Sequence, residues 1–220
     1  GLRPVDVILR RVLDAFCDPL ELSGDSLLGV PGLLQAARGG HVVLANALGS
    51  GIVENPGLAA FLPLLCRQLL GEDLKLPSLP TWWCGHAGDR DYVLANLDSL
   101  VVRSILPSSP YWEGHQLDAA ARAQLIGRIL AKPHLFEAQN PSPLSTTPVL
   151  EEGRLVPRPV MLRGFAVAEN HGYRIMPGGL ARVSSGLDTL QAALQKGGIS
   201  KDWWVLAPTP QRHVSLLRQA

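Results

Sequence analysis

Cationic side chains within apolar segments are the residues of this chain best suited to chemistry. Arg103 lies inside the predicted strand 100–106, and Arg163 lies inside the extended segment 159–168. A guanidinium in an apolar strand has to reach water, a carboxylate or a phosphate, because an unpaired buried charge is too unfavourable. Its forked donors suit bidentate binding of phosphate or carboxylate. Snorkelling of each side chain to the edge of its sheet is the competing interpretation.

A glycine-rich turn is the second candidate for anion binding. Gly49 and Gly51 follow the predicted strand 41–47 and precede a predicted helix over 55–70. Such a turn presents backbone N–H groups and a positive helix end, which suit an anion. An ordinary tight connection explains the same pattern, since such turns are common. Glu54 would oppose a phosphate at this turn unless a metal or an amine lay between them.

A third candidate is the loop over residues 195–202, which combines glycines with Lys196 and Lys201. Glycines and lysines in one loop can cradle a phosphate, although a solvated turn fits the same residues. The paired tryptophans at 82–83 and 203–204 are interpreted as core residues.

The composition narrows the classes of function. The chain has 220 residues, of which 46% are hydrophobic and 18% charged, so it is globular. Its formal net charge of +1 gives no reason to expect nucleic acid or an anionic membrane as a partner. Three scattered cysteines indicate reduced thiols and a cytoplasmic protein. The sequence contains no phosphate-loop, nucleophile-elbow or zinc-site motif.

The elements that must position these residues form an α+β pattern. Helices alternate with strands early in the chain, and hairpins dominate late. We expect two small α/β lobes, 1–106 and 107–220, in what is a piece of a longer polypeptide. Segments 77–88 and 107–115 are predicted to be loops, and residues 177–179 a turn between two strands.

Six segments in a fixed order resemble the circularly permuted ATP-grasp family, type 2. They are residues 17–22, 46–55, 91–98, 158–165, 176–183 and 201–206. The most specific are MPGGLARV at 176–183 and KDWWVL at 201–206. Some members of this family resemble glutathionylspermidine synthases.

The resemblance implies an ATP-grasp fold, in which two lobes enclose a nucleotide cleft. It implies ATP-dependent ligation of a carboxylate to an amine through an acyl phosphate, with ATP and Mg²⁺ as cofactors. The expected partners are small-molecule carboxylates and amines, together with a helical domain elsewhere in the full-length chain.

The resemblance also assigns roles to individual residues. Arg163 matches a strand arginine that would serve the phosphates or the acyl phosphate, and is the predicted catalytic residue. Arg103 stands where the family has a nucleotide-phosphate lysine. Glu54 would contact the amine substrate. The residues predicted to bind the cofactor are Arg103, Gln139, Arg182, Lys201, Gly49 and Gly51.

Departures from the family pattern bear on activity. Met161 stands where many members have a carboxylate, an asparagine of the family falls near Ala193, and residues 107–112 replace the usual glycine-rich loop. Both magnesium ligands that the family would supply are therefore absent, which leaves Glu137 or Glu151 as alternative ligands and the metal site unassigned. The alternative function is a catalytically degenerate binding or assembly module.

Overall fold

The computed structural model describes residues 3–106, 110–184 and 199–210. It has the α+β class predicted from the sequence, with several antiparallel sheets. The chain divides into two compact units, Gly1–Pro141 and Ser142–Ala220. The expected boundary at residue 106 differs from this division, because the strands on either side of it pair with each other in the first unit.

The first unit contains a four-stranded antiparallel sheet, a two-stranded parallel sheet and four α-helices among its described residues. Its strands are β1 (Val7–Leu9), β2 (Val43–Ala45), β3 (Thr81–Trp83), β4 (Val101–Ser104), β5 (Tyr111–Glu113) and β6 (Phe136–Gln139). Its helices are α1 (Leu33–Arg38), α2 (Leu62–Leu70), α3 (Ala87–Ala95) and α4 (Ala119–Ala131). The larger sheet has the order β3-β6-β4-β5, and β1 pairs with β2.

One face of the larger sheet forms the core of the first unit. Strand alternation places Val102 and Ala138 on the same face, and both are completely buried against α3 and α4. Helix α4 begins where the side chain of Asp118 accepts a hydrogen bond from the Ala121 N–H at 2.7 Å. The opposite face of the sheet is therefore left for the polar side chains of the same strands.

Two predicted loops of the first unit contain strands instead. Strand β3 lies within segment 77–88, and its Trp82 stacks on Tyr92 of α3 with 4.5 Å between ring centroids. Strand β5 lies within segment 107–115. Strands of three residues are too short for an alternating pattern to be visible in the sequence.

The predicted helix over 55–70 is divided. Asn55 accepts a hydrogen bond from the Gly57 N–H at 2.9 Å and caps a 3₁₀ helix over Pro56–Ala60. Helix α2 begins after Phe61. Within the described residues, every helix is too short or too polar to cross a membrane.

The second unit is an antiparallel sheet whose strands follow one another in the chain. Its strands are β7 (Thr146–Glu151), β8 (Arg154–Glu169), β9 (Gly172–Val183) and β10 (Ile199–Trp204), in the order β10-β9-β8-β7. The tryptophan pair ending β10 is only partly core, because Trp204 is 81% exposed.

The turn predicted at 177–179 is wrong, since β9 continues through it. Gly179 is required there by close approach of the neighbouring strands. A Cβ on Gly179 would lie 2.1 Å from the carbonyl oxygen of Arg163 and 2.6 Å from the Trp203 ring nitrogen. That nitrogen donates to the same carbonyl at 3.2 Å, so the glycine makes room for an indole.

Candidate functional site

The arginine of strand β4 is bound by a carboxylate of the neighbouring strand. Arg103 and Glu137 are direct cross-strand partners, on the face of the sheet opposite the core. Arg103 Nε donates to Glu137 Oε1 at 2.5 Å. The arginine predicted to bind a nucleotide phosphate thus has an internal anion as its partner.

A glutamine extends this polar network across the sheet. Gln139 Oε1 accepts from Arg103 Nη2 at 3.1 Å, and Gln139 Nε2 donates to Thr81 Oγ1 at 3.0 Å. Gln139 lies two residues beyond Glu137 on β6, so both side chains occupy one face. The structure therefore brings together Arg103 and Gln139, two of the predicted cofactor-binding residues.

Glu137 is an unusual carboxylate because it is completely buried. Burial raises the pKa of Glu137 to about 7, against the lowering effect of Arg103. Its Oε2 atom is buried and has no hydrogen-bond partner among the described residues. Burial likewise raises the pKa of the nearby Cys84 thiol to about 12, so that thiol stays neutral.

The glycine turn also binds an anion of the chain itself. The Asp14 Oδ2 atom accepts hydrogen bonds from the N–H groups of Gly49 and Gly51, both at 3.0 Å. Gly49 has a φ of 90°, in the left-handed region of the backbone that favours glycine. Arg10 forms an ion pair with Asp14 at 2.7 Å and donates to Ser50 Oγ at 2.9 Å. The turn thus binds a carboxylate of its own chain, and the role of Gly49 and Gly51 toward a nucleotide stays a prediction.

Glu54 ends the 3₁₀ helix Ser50–Glu54 that follows this turn, and its side chain is exposed. Its role toward an amine substrate stays a prediction.

In the second unit, two of the predicted site residues share one face of the sheet. Arg182 lies directly opposite Met161, and Arg163 lies directly opposite Leu180. Arg163 and Arg182 are therefore diagonal neighbours, a position in which Cβ atoms are roughly 7 Å apart.

Lys201 is placed on the other face. It lies opposite Ala181, one residue out of phase with Arg182, and its Nζ donates to the Pro148 carbonyl. The lysine and glycines at 196–198 lie outside the described residues.

Arg163 and Arg182 differ from Arg158 and Arg174 of the same sheet in their partners. Among residues 3–106, 110–184 and 199–210, no carboxylate lies within ion-pair distance of either guanidinium. The Arg163 side chain is exposed, and Arg182 Nε is buried without a hydrogen-bond partner in the described part of the chain. By contrast, Arg158 pairs with Glu151 at 2.5 Å and Arg174 with Glu169 at 2.8 Å.

The sequence did not indicate that Glu137 and Asp14 would be the anions bound at the predicted sites. The sequence held a local indication for Glu137, which is the second residue of the strand FEAQ. A glutamate in a strand needs a partner for its charge, as an arginine does. Asp14 had no such signal, because it lies 35 residues before Gly49 in the chain.

The described residues fit the two expected cofactors, ATP and Mg²⁺, to different degrees. Arg163 and Arg182 suit a polyanion, because they are cations without a carboxylate partner among the described residues, unlike Arg158 and Arg174. In the part of the chain that the structure describes, no three His, Cys, Asp or Glu side chains come together to hold a metal ion. The magnesium ligands therefore stay unassigned among the described residues.

Comparison with known proteins identifies the family of this chain. The family model described as circularly permuted ATP-grasp type 2 matches residues 1–184. The chain belongs to this family. The fold class and the resemblance expected from the sequence are thereby confirmed. The family generally uses ATP.

The relatives of this ATP-grasp chain are considerably longer. An uncharacterised protein of Mycobacterium tuberculosis strain H37Rv is 41% identical over 216 residues, covering 98% of this chain and 24% of the relative. A second uncharacterised protein of that strain is 39% identical, covering 94% of this chain and 38% of the relative. An uncharacterised Synechocystis protein is 38% identical, covering 96% and 44%. The chain therefore spans about a quarter to less than half of these relatives.

Proposed function

We propose that this chain is the ATP-binding part of a ligase that joins a small-molecule carboxylate to an amine. In this reaction a carboxylate oxygen attacks the γ-phosphorus of ATP and ADP leaves, which forms an acyl phosphate. The amine nitrogen then attacks the acyl carbon, inorganic phosphate leaves and the amine loses a proton. Membership of the ATP-grasp family supports this reaction class.

The observation that carries the proposal is the pair of arginines on one face of the second sheet. Arg163 and Arg182 are diagonal neighbours without a carboxylate partner among the described residues. Two guanidiniums at this spacing can contact different oxygens of one triphosphate, and guanidiniums bind phosphate with charge-assisted hydrogen bonds. Arg158 and Arg174 of the same sheet, by contrast, each have a carboxylate partner.

The partners of the predicted residues lead us to assign them different roles. Arg163 and Arg182 neutralise phosphate charge, including the charge that develops on the transferred phosphoryl group. Lys201 fixes β10 against β7 through the Pro148 carbonyl, and reaches a phosphate only if that bond is released. The roles of Gly49, Gly51 and Glu54 toward nucleotide and amine remain predictions.

Calorimetric titration with ATP and magnesium chloride tests this function. The wild-type chain should bind ATP, and Arg163→Ala should weaken binding at least about tenfold, because a hydrogen bond to a charged group contributes about 1.5–3 kcal/mol. Arg174→Ala is the matched control, since Arg174 lies on β9 of the same sheet and pairs with Glu169. Equal affinities for the two variants would contradict the proposal.

A second function, a binding or assembly module without catalysis, is favoured by the first unit. There, Glu137 binds Arg103 and Asp14 binds the Gly49 turn, so both predicted phosphate contacts are already satisfied. Phosphate release from ATP with a panel of carboxylates and amines, measured on the full-length protein, separates the two functions. Turnover establishes the ligase, whereas ATP binding without turnover supports the module.

A further inference from the structure

The carboxylate of Glu137 occupies the donors of Arg103 that an anionic ligand would use. Its Oε1 atom lies 2.5 Å from Arg103 Nε, and Gln139 Oε1 takes Nη2 at 3.1 Å. The Arg103 side chain is 25% exposed, so a ligand can approach it. A phosphate that binds this edge of the guanidinium must therefore replace the carboxylate.

Replacement leaves Glu137 in an environment that does not tolerate a free charge. The side chain is completely buried, and its Oε2 atom already lacks a hydrogen-bond partner within the described residues. An ionised carboxylate deprived of its counter-charge in such a place is strongly disfavoured, and uptake of a proton removes the charge.

We propose that Glu137 is an internal competitor for Arg103, which an anionic ligand displaces while Glu137 takes up one proton. This inference rests on the proposed function, with the phosphate chain of ATP as the anion. It makes Glu137 a positioning residue that sets the affinity and pH dependence of the phosphate contact at Arg103.

The groups around Glu137 are compatible with protonation near neutral pH. Burial raises its pKa to about 7 while Arg103 is still bound, and Arg103 is the cation that lowers this pKa. The Cys84 thiol beside it stays neutral and supplies no counter-charge. From β5, Tyr111 and Glu113 share the same face, and Glu113 accepts from Gln116 Nε2 at 2.5 Å.

Titration of the wild-type chain with ATP and magnesium chloride in two buffers of different ionisation enthalpy counts the protons taken up. The expected result is an uptake approaching one proton per ATP at pH 8, with affinity falling up to about tenfold per pH unit above pH 7. ATP binding with no proton uptake and no change in affinity between pH 6 and 8.5 would overturn the inference.

The variant Glu137→Gln assigns the proton to this residue. It keeps an oxygen acceptor for Arg103 but carries no charge, so it should bind ATP more tightly than wild type at pH 8 and with a flatter pH profile. Glu113→Gln is the matched control, since it removes a second buried carboxylate from the same face. Protonation of ATP itself affects both variants equally, so it does not account for a difference between their pH profiles. A wild-type profile in Glu137→Gln would overturn the inference.

The two proposals fail in different ways. ATP that binds in an Arg163-dependent manner, without proton linkage to Glu137, contradicts only the inference. An absence of ATP binding from pH 6 to 8.5 in wild type and in Glu137→Gln contradicts the proposed function, and the inference with it.

Discussion

The arginines at the candidate sites have different partners in the two units. In the first unit, Arg103 is bound by the buried Glu137, and Arg10 is bound by Asp14. In the second unit, Arg163 and Arg182 have no carboxylate within ion-pair distance among the described residues, although Arg158 in the same sheet does.

This difference teaches that residue type alone does not identify a working anion site. An arginine in a strand has a structural role when a carboxylate of the chain pairs with it. It is available to a ligand when no carboxylate pairs with it. By this criterion Arg163 and Arg182 of the second sheet are available to a phosphate. Under our proposal, a phosphate reaches Arg103 of the first sheet only by displacing Glu137.

The largest expected effect comes from breaking the ion pair of the first unit. Arg103→Met leaves a buried carboxylate alone, and should lower the free energy of unfolding by about 3 kcal/mol at pH 8. Loss of Arg103 raises the pKa of Glu137 further above its ordinary value, so the folded state holds a proton that the unfolded state releases above about pH 4.3. Stability therefore falls as pH rises, and the loss on Arg103→Met should be smaller at pH 5 than at pH 8 by about 1 kcal/mol.

Urea denaturation at pH 5 and pH 8 measures this effect. Arg38→Met is the control, because Arg38 pairs with Glu21 on the surface and should change stability by less than about 1 kcal/mol. An Arg103→Met variant as stable as wild type at pH 8 would remove the structural role assigned to the first unit.

The next effect tests the close packing that places Arg163. Gly179→Ala puts a methyl group against the Arg163 carbonyl and the Trp203 indole, and should destabilise the protein by about 2 kcal/mol. Gly164 lies directly opposite Gly179, and a Cβ there meets nothing within 4 Å. Gly164→Ala is thus the matched control in thermal unfolding, and similar melting temperatures for both variants would be inconsistent with this packing.

A smaller effect sharpens the account of the glycine turn. Asp14→Asn weakens two charge-assisted hydrogen bonds from Gly49 and Gly51 and the ion pair with Arg10, which should lower stability by about 1 kcal/mol. Hydrogen exchange should accelerate at the two glycine amides. Asp25→Asn, at an exposed position, serves as the control, and unchanged exchange at both glycines would refute the role of Asp14.

The smallest effect concerns the stability of the second sheet. Arg182→Met removes a cation whose Nε is buried without a partner among the described residues, so stability should stay equal or rise by less than about 1 kcal/mol. Arg158→Met, which breaks the pair with Glu151, should instead lower stability by up to about 1 kcal/mol. If Arg182→Met were the more harmful change in urea denaturation, Arg182 would have a structural partner.

The sequence predicted those features that depend on neighbouring residues. Asn55 caps a helix, Asp118 caps α4, and β4 lies where apolar β-branched residues predict it. It did not predict features set by distant strands. Gly179 resembles a turn residue in the sequence, yet it serves a close strand approach. The partners of Arg103 and Gly49 lie more than 30 residues away, beyond the reach of local patterns.

The most direct test measures how much ATP affinity is lost on Arg163→Ala and on Arg103→Ala, each at pH 6 and pH 8 by calorimetry. Because Arg163 has no carboxylate competitor among the described residues, its loss should be the same at both pH values. Because Glu137 competes for Arg103, the loss on Arg103→Ala should be larger at pH 6 than at pH 8. Losses with the same pH dependence, or an Arg163→Ala variant that binds ATP as well as Arg174→Ala does, would contradict the distinction between the two units.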